Sequence, residues 1–323
     1  MLTITNKIIL RECEKLGIKF EIISEKHNLI ILQFAGRKNI IRRSRIPQTS
    51  SVFPYIAEKK SATYEILDFF RFPFPKFFLC ADEKNLEKIA KKLNFPLITK
   101  PENGEHGDGI VMNIKNLTDL KKAFLKTKNA KKGNVIVQEF FAGDDHRILI
   151  VGGKFVAAAK RTPAKICGDG KLTIEKLIEK ENKNSRRGEN YNSPLTKIKI
   201  DDEMKNFLAQ KNLNLQKIPR KNEKIFLRKV ANLSQGGESE DCTEKIPREN
   251  ILLFEKIAQN LQANVVGIDI LTKNISAILT PKNYKIIEVN ESPGIRMHHF
   301  PSVGKPRNVA KKILQEIFPE LKK

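Results

Sequence analysis

Short apolar runs alternate with amphipathic segments along most of the chain. The runs that predict β-strands are KFEIIS, NLIILQF, VIVQEFF, RILIVGG, KFVAAAK, VVGIDIL and YKIIEVN. Apolar positions at helical spacing predict helices at about residues 60–70, 82–94, 117–128, 249–262 and 306–317. We expect the first fifty residues to form short strands followed by a basic segment. The whole pattern predicts a mixed α/β (α+β) fold.

The segment KPENGEHGDG, residues 100–109, combines a lysine with three glycines directly after the strand-like run PLITK. It has neither the GxxxxGK[ST] order of a P-loop nor the GxGxxG order of a dinucleotide-binding fold. The run GIVMNI leads out of the segment, so strands on both sides predict a β-hairpin, whereas a P-loop passes from a strand into a helix. This composition favours phosphate binding in a glycine-rich hairpin.

Polar side chains interrupt two apolar strands near the C-terminus. On a strand, Glu288 and Asn290 project from one face, while Ile287 and Val289 on the other face can enter the core. Asp269 interrupts VVGIDIL in the same way, and a buried carboxylate is costly unless it is paired or holds a metal. Two carboxylates and an amide oxygen suit Mg²⁺. The alternative is that nearby Lys or Arg side chains satisfy the carboxylates.

Five basic residues stand in or beside predicted elements. Lys60 and Lys100 can contact phosphate as point charges, and Arg147, Arg161 and Arg228 offer planar donor forks for phosphate or carboxylate. Taken singly, each is more often a surface or ion-pair residue. Together with the glycine hairpin and the strand carboxylates, the set favours a phosphate site.

The composition narrows the class of protein. The chain has 60 Lys and Arg against 37 Asp and Glu, a net charge of +23. These charges are scattered, without a basic arm, zinc finger or helix-turn-helix signature, so we expect weak attraction of polyanions rather than specific nucleic-acid recognition. No run reaches the roughly 18 apolar residues of a membrane span, and no signal peptide is evident, so a cytoplasmic protein is expected. The four cysteines are far apart in sequence, which favours reduced thiols over a zinc site or disulfides.

In their order along the chain, several motifs resemble those of the ATP-grasp ligases. The resemblance is stronger to the ATP-grasp domain of the cyanophycin synthetases and more distant to the bifunctional glutathione synthetases. The motifs, between about residues 16 and 310, are Lys60, Lys100 with GEHGDG, QEFFAGDDHR, AAAKRTPA with GDGKLT, RKVANLSQGG, GIDIL and EVNESPGIRMHHFPSVGKPRNV. The resemblance implies an ATP-grasp fold, in which two α+β subdomains hold ATP between them.

The resemblance also implies roles for the matching positions. It implies ATP binding by Lys60, Lys100, Gly104, His106, Gly107, Gly109, Glu139, Phe140, Arg147 and Arg161. The glycine loop would close over the phosphates, and Glu139 with the backbone around Phe140 would lie at the adenine. The implied ligands for Mg²⁺ or Mn²⁺ are Asp269, Glu288 and Asn290. The implied catalytic residues, near the transferred phosphate and the acceptor carboxylate, are Arg228, Asn232 and Arg296.

We expect an N-terminal lead-in at residues 1–58, a truncated pre-ATP-grasp region, and an ATP-grasp domain at 59–320. The domain would consist of a first ATP-holding subdomain at about 59–135 and a second at about 136–320. The polar stretch 168–225 has weak periodicity beyond LTIEKLIEKEN, which predicts a mobile or lid-like insertion. Because the chain starts almost at the lead-in and stops soon after the last motif, we expect neither the N-terminal domain nor the Mur-ligase-like domain of cyanophycin synthetases.

The resemblance implies an ATP-dependent carboxylate–amine ligase acting on an amino acid or short peptide. ATP would phosphorylate a carboxylate, and an amine would attack the acyl phosphate to give an amide or peptide bond, ADP and phosphate. Such chemistry needs charge stabilisation and positioning rather than a protein nucleophile. The alternatives are a catalytically silent ATP-grasp module that binds nucleotide or a partner and, from the net charge alone, a polyanion-binding protein. A homo-oligomer or a separate Mur-ligase-like partner is an open alternative for assembly.

Overall fold

The structure is a computed structural model that describes residues 1–103, 109–189 and 193–322. Its α-helices are α1 Ile4–Lys15, α2 Phe53–Glu58, α3 Lys60–Phe69, α4 Leu86–Lys92, α5 Leu117–Ala130, α6 Ile174–Asn182, α7 Asp202–Ala209, α8 Arg248–Asn260, α9 Arg296–His299 and α10 Val309–Ile317. Its β-strands are β1 Lys19–Ser24, β2 Leu29–Phe34, β3 Arg37–Arg42, β4 Phe77–Cys80, β5 Leu97–Pro101, β6 Val111–Ile114, β7 Val135–Glu139, β8 Asp144–Val151, β9 Lys154–Thr162, β10 Lys165–Cys167, β11 Arg187–Gly188, β12 Leu195–Thr196, β13 Lys224–Phe226, β14 Glu238–Asp241, β15 Val265–Thr272 and β16 Tyr284–Asn290. The predicted mixed fold is confirmed, and the predicted strands and helices are present with ends shifted by a few residues.

The chain forms two compact units that are each assembled from distant segments. The first unit contains residues 1–47, 156–243 and 294–323, and the second contains 48–155 and 244–293. These borders differ from the predicted ones at residues 58 and 135, because strands far apart in sequence pair within each unit. The predicted partition into a lead-in and two ATP-holding subdomains stays a prediction.

One sheet of the second unit carries the predicted glycine hairpin. Its strands follow the order β4-β7-β5-β6, and β5 pairs antiparallel with β6. Helices α4 and α5 lie against its apolar face, where the buried core includes Leu86, Leu97, Leu120, Phe124 and Val137. Strands on both sides of the glycine segment confirm the hairpin. The hairpin therefore places Lys100 near the end of a buried strand.

The second unit also contains the antiparallel strands β8, β15 and β16, with β15 in the middle. Asp269 on β15 lies opposite Arg147 on β8 and opposite Glu288 on β16. Between Asp269 and the next residue the register shifts, so Ile287 is the extra residue of a β-bulge. The expectation that Ile287 enters the core is therefore wrong in part: Ile287 is half-buried, while Val289 is buried as expected.

The first unit begins with two elements that the sequence pattern did not predict. Helix α1 is capped by Thr3, whose side chain accepts a hydrogen bond from the Asn6 N–H, and it packs against α10. The basic segment after β2 contains β3, which pairs antiparallel with β2 and buries Ile41. Charged residues interrupt the apolar pattern of both elements, so the sequence alone did not indicate them. Their apolar residues are buried only when the elements pack against the rest of the unit.

Residues 168–225 of the first unit contain more regular structure than their weak periodicity predicted. Helices α6 and α7 begin at Thr173 and Asp201, whose side chains accept hydrogen bonds from backbone N–H groups in the first turn. Together with β10 and β13 they enclose a core that includes Ile174, Leu177, Ile198, Met204, Leu208, Ile225 and Leu227. Helix α6 corresponds to the periodic run LTIEKLIEKEN, whereas α7 lies in the part with weak periodicity. The mobile or lid-like role of the insertion stays a prediction.

Two further expectations from the sequence concern membrane-spanning segments and the cysteines. In the residues that the structure describes, no helix combines the length and apolarity that crossing a bilayer requires. None of the four cysteines forms a disulfide, and Cys13, Cys80 and Cys242 are buried. Burial, with the charges of Glu12 and Glu14, raises the pKa of the Cys13 thiol to about 12, so this thiol stays protonated.

Candidate active site

Two buried lysines converge in the second unit. Lys60 is the first residue of α3, and its Nζ lies 3.4 Å from Glu288 Oε1. Lys100, on the buried strand β5, donates a hydrogen bond of 2.7 Å from Nζ to the Tyr64 hydroxyl. Burial lowers the pKa of Lys100 to about 7; the charge of Lys60 acts in the same direction, and that of Glu288 opposes it. The structure therefore brings together the two lysines that the sequence singled out.

Tyr64 holds this arrangement and was missed by the sequence reasoning. It lies one helical turn after Lys60, so the two side chains lie on the same face of α3. The Tyr64 hydroxyl lies 2.9 Å from the carbonyl oxygen of Ile287 and 3.2 Å from Gln138 Oε1, both of which can accept a hydrogen bond from it. Burial, and then the charge of Glu288, raise the pKa of Tyr64 far above its usual range. Tyr64 thus stays protonated and orients Lys100. The buried face of α3 also carries Lys60, Ser61 and Thr63, so the sequence pattern did not set Tyr64 apart.

Arg147 and Asp269 form a buried ion pair between adjacent strands. The guanidinium of Arg147 donates from Nε to Oδ1 and from Nη2 to Oδ2 of Asp269, the latter at 2.9 Å. Only 7% of the Arg147 side chain and 2% of the Asp269 side chain are exposed. The alternative of a paired carboxylate therefore describes the structure at Asp269. The phosphate contact expected of Arg147 stays a prediction.

The expected metal ligands lie side by side on β15 and β16. Asp269 is the strand partner of Glu288, and Gly267 is the partner of Asn290. The Asn290 amide nitrogen lies 3.5 Å from Asp269 Oδ2. Carboxylate and amide oxygens are the donor set that Mg²⁺ prefers, so the chemistry of these residues fits the ion. Arg147 and Lys60 already contact the two carboxylates, and in the described part of the chain no group of three His, Cys, Asp or Glu is placed to hold a metal. The assignment stays a prediction.

The expected adenine and loop positions are only partly described. The N–H of Glu139 donates to the Lys76 carbonyl and that of Phe140 to the Pro96 carbonyl, each at 3.0 Å. The Phe140 N–H therefore already has an acceptor within the protein. Gly109 has a φ of +73°, and an added Cβ would lie 2.8 Å from the Ala130 Cβ, so this position requires glycine. The predicted sites Gly104, His106 and Gly107 lie outside the described residues.

The first unit contains the other predicted basic residues. Arg296 is buried and donates to the Ser193 carbonyl, the Thr196 hydroxyl and the Leu233 carbonyl at 3.3, 3.0 and 2.9 Å. Asn232 precedes Leu233, and its side-chain oxygen accepts hydrogen bonds from the N–H and the hydroxyl of Ser234. The structure therefore places Arg296 against the segment that carries Asn232.

A pair of glycines shapes the segment after Asn232. Gly236 has a φ of +90°, and a Cβ on Gly237 would lie 2.7 Å from the Asn232 carbonyl oxygen. Arg187, which the sequence reasoning missed, is buried here and donates to the carbonyls of Thr196 and Gly236. Its guanidinium also pairs with Glu181 and Glu238, so the partners of this one arginine lie in three segments of the chain. Nothing in the adjacent Arg186–Arg187 sequence distinguishes the buried arginine from the half-buried one.

Arg228 and Arg161 lie in different surroundings from Arg296. Arg228 is buried and pairs with Asp201 at 2.5 Å and Glu203 at 3.0 Å, at the start of α7. Burial opposes ionisation of Asp201, but its hydrogen bond with Arg228 prevails and the pKa of Asp201 is lowered. Arg161 is half-buried on β9, opposite Ser239 on β14. The roles of Arg228, Asn232, Arg296 and Arg161 near phosphate and acceptor stay predictions.

Comparison with protein families matches residues 57–171 and 220–317 to the RimK-like ATP-grasp domain. The chain belongs to this family. The residues of the second unit that form the lysine and carboxylate cluster lie within the matched ranges. The unmatched stretch 172–219 falls within the predicted insertion 168–225, which agrees with the separate core of that segment.

Sequence relatives of this RimK-like ATP-grasp chain agree with the resemblance. Cyanophycin synthetase of Synechocystis sp. is 38% identical over 266 residues, which cover 82% of this chain and 30% of that protein. Cyanophycin synthetase of Trichormus variabilis is 34% identical over 316 residues, covering 98% and 35%. The chain thus spans about a third of the length of these curated relatives.

A solved structure supports the fold. The crystal structure of a bifunctional glutathione synthetase from Pasteurella multocida matches with a TM-score of 0.75 and 26% identity, covering 99% of this chain and 44% of that one. The predicted membership of the ATP-grasp ligases is therefore confirmed at the level of family and fold.

Proposed function

We propose that the protein is an ATP-dependent carboxylate–amine ligase that forms an amide or peptide bond on an amino acid or short peptide through an acyl phosphate. The observation that carries the proposal is the cluster of Lys60, Lys100, Glu288 and Asn290 in the part of the chain that matches the family. The names of its relatives, cyanophycin synthetase and bifunctional glutathione protein, point to the same reaction class.

In this proposal, Lys60 and Lys100 bind phosphate oxygens of ATP, and Tyr64 keeps the Lys100 amine in place. Glu288, Asn290 and Asp269 hold Mg²⁺, which would supply charge neutralisation at the phosphates. Arg147 holds the Asp269 carboxylate in a fixed orientation at its buried position. Because Lys60 is paired with Glu288 and Arg147 with Asp269, the charges of these two pairs nearly cancel before the nucleotide binds. The arriving phosphates therefore exchange these partners rather than meet uncompensated charges.

The buried arginines of the first unit are proposed to serve the acceptor. Arg296 and the segment around Asn232 would bind the carboxylate that is phosphorylated, and Arg228 would lie near the transferred phosphoryl group. Support comes from the burial of Arg296 and Arg228 and from the planar donor fork of arginine, which matches carboxylate and phosphate. An amino acid or short peptide supplies such a carboxylate.

The test supplies purified protein with ATP, Mg²⁺ and pools of amino acids or dipeptides, and measures ADP release and the mass of any product. The expected result is ADP release that depends on both Mg²⁺ and an amine, with a product heavier by the amine minus water. Lys100→Met should abolish it, whereas Lys91→Met, a change at an exposed lysine of the same unit, should not. Lack of ADP release with every pool would refute the proposed activity.

One observation favours a second candidate, a nucleotide-binding module without catalysis. Arg147 occupies both carboxylate oxygens of Asp269, and an ion at this position would have to share them. A silent module predicts ATP binding without ADP release in any pool. Binding of Mg²⁺–ATP measured beside ADP release therefore separates the two functions.

A further inference from the structure

Glu102 connects two parts of the second unit through its side chain. Ser61 Oγ donates a hydrogen bond of 2.5 Å to Glu102 Oε1, and Asn134 Nδ2 donates one of 3.0 Å to Glu102 Oε2. The Glu102 N–H also donates to the Asn134 carbonyl at 3.1 Å. Both carboxylate oxygens therefore have a protein donor, one from the first turn of α3 and one from the residue before β7.

The two segments that Glu102 joins are those that carry the buried lysines. Ser61 follows Lys60, and Glu102 lies two residues after Lys100. Ser61 is itself buried, so its hydroxyl has little access to water as an alternative partner. The bond between Ser61 and Glu102 therefore sets the separation between the start of α3 and the end of β5.

A carboxylate suits this position better than an amide or a hydroxyl. Hydrogen bonds to an ionised acceptor are shorter and stronger than neutral ones, and the carboxylate accepts from two directions at once. The second bond, from Asn134, fixes the Glu102 side chain so that its first bond can hold Ser61. Tyr64 provides a separate restraint, because its hydroxyl accepts a hydrogen bond from Lys100 itself.

We propose that Glu102 is a positioning residue, which with Ser61 holds Lys60 and Lys100 at the spacing needed to bind the phosphates of one nucleotide. This inference rests on the proposed function, because it assumes that the two lysines bind ATP. Glu102 acts through the lysines and has no chemical role of its own. Its loss should weaken nucleotide binding more than it weakens the fold.

The experiment measures the Kd of Mg²⁺–ATP and the nucleotide-free melting temperature for Ser61→Ala, Ser61→Thr, Glu102→Ala and the double variant Ser61→Ala/Glu102→Ala. Each alanine variant should raise the Kd about tenfold, equal to about 1.4 kcal/mol, and the double variant should be no weaker than the weaker single one. Ser61→Thr keeps the hydroxyl and should stay within about twofold of the unchanged protein. Melting temperatures should fall by no more than about 3 °C.

Glu87→Gln is the matched control, because Glu87 is an exposed carboxylate of the same unit whose ion pair is with the exposed Lys91. It should change neither quantity. If the unchanged protein does not bind Mg²⁺–ATP, the proposed function fails and this inference fails with it. If the unchanged protein binds ATP and the alanine variants bind it equally well, only the positioning role is overturned. If Ser61→Thr loses ATP binding as the alanine variants do, and the melting temperatures of these variants fall strongly, the role of Glu102 is merely structural. That result would also overturn the inference.

Discussion

Lys100 gives the protein a pH dependence that can be worked out from its surroundings. Its amine is buried against the Tyr64 ring and hydroxyl, with the amine 5.0 Å from the ring centroid. Burial, aided by the charge of Lys60 and opposed by Glu288, lowers its pKa to about 7 from an ordinary value of 10.5. At pH 8.5 most of the free protein therefore carries a neutral Lys100.

Phosphates bound beside Lys100 would raise its pKa again, so nucleotide binding above pH 7 requires uptake of a proton. The pKa of Lys100 is lower in the free protein than in the nucleotide complex. The affinity for nucleotide is therefore highest when Lys100 is already charged, and it falls as the pH rises above 7. For a free-protein pKa near 7, the Kd of Mg²⁺–ATP should rise by about three- to tenfold between pH 7.5 and 8.5. An ordinary lysine would produce almost no change over this range.

The assay is a calorimetric titration of Mg²⁺–ATP at the two pH values in buffers with different ionisation enthalpies. At pH 8 the protein should take up close to one proton for each nucleotide. The terminal phosphate ionises near pH 6, so it contributes little in this range. Lys100→Arg is the matched control, because a guanidinium stays charged throughout and should give a flat pH dependence.

Two results would refute this reasoning. A Kd that stays constant between pH 7.5 and 8.5 would show that Lys100 is charged in the free protein or does not contact the nucleotide. An equally steep dependence in Lys100→Arg would assign the proton to another group.

Three further predictions address the metal site, the first unit and its insertion. Glu288→Gln should lower Mg²⁺-dependent ADP release at least about 100-fold while the melting temperature changes little; unchanged ADP release by the folded variant would remove the metal assignment. His299 is half-buried, and its Nε2 accepts a hydrogen bond from the Ala310 N–H. Desolvation, with Glu12 opposing and Lys15 assisting, lowers its pKa to about 4. The unfolded chain therefore binds more protons than the folded protein between pH 6.5 and 4. As the pH is lowered through this range, the free energy of unfolding measured in urea should fall by up to about 3 kcal/mol. His299→Gln should reduce this fall, and an identical pH profile in the variant would exclude His299 as its source. Leu208→Ala in the buried core of the insertion should cost about 2–5 kcal/mol of unfolding free energy, against less than about 0.5 kcal/mol for the exposed Leu252→Ala; equal costs would mean that the core of the insertion contributes nothing to stability.

The sequence determined those features that depend on neighbours along the chain. The spacing of apolar residues predicted α3, α5, α8 and the strands β5 to β9, because local periodicity reflects which face each element buries. Strand alternation also predicted correctly that Glu288 and Asn290 share a face. The glycine hairpin followed from strands on both sides of KPENGEHGDG. Residue order along the chain was enough to identify the family.

Only the tertiary structure decided which of these residues meet. Arg147 and Asp269 are 122 residues apart and form their ion pair because β8 and β15 are neighbours in a sheet. The β-bulge at Ile287 exposes a carbonyl to Tyr64, and no alternation rule could anticipate one extra residue in a strand. Tyr64 and Glu102 looked ordinary because their partners come from elements distant in sequence. Long-range pairing sets these contacts, whereas periodicity carries information only about an element's own faces.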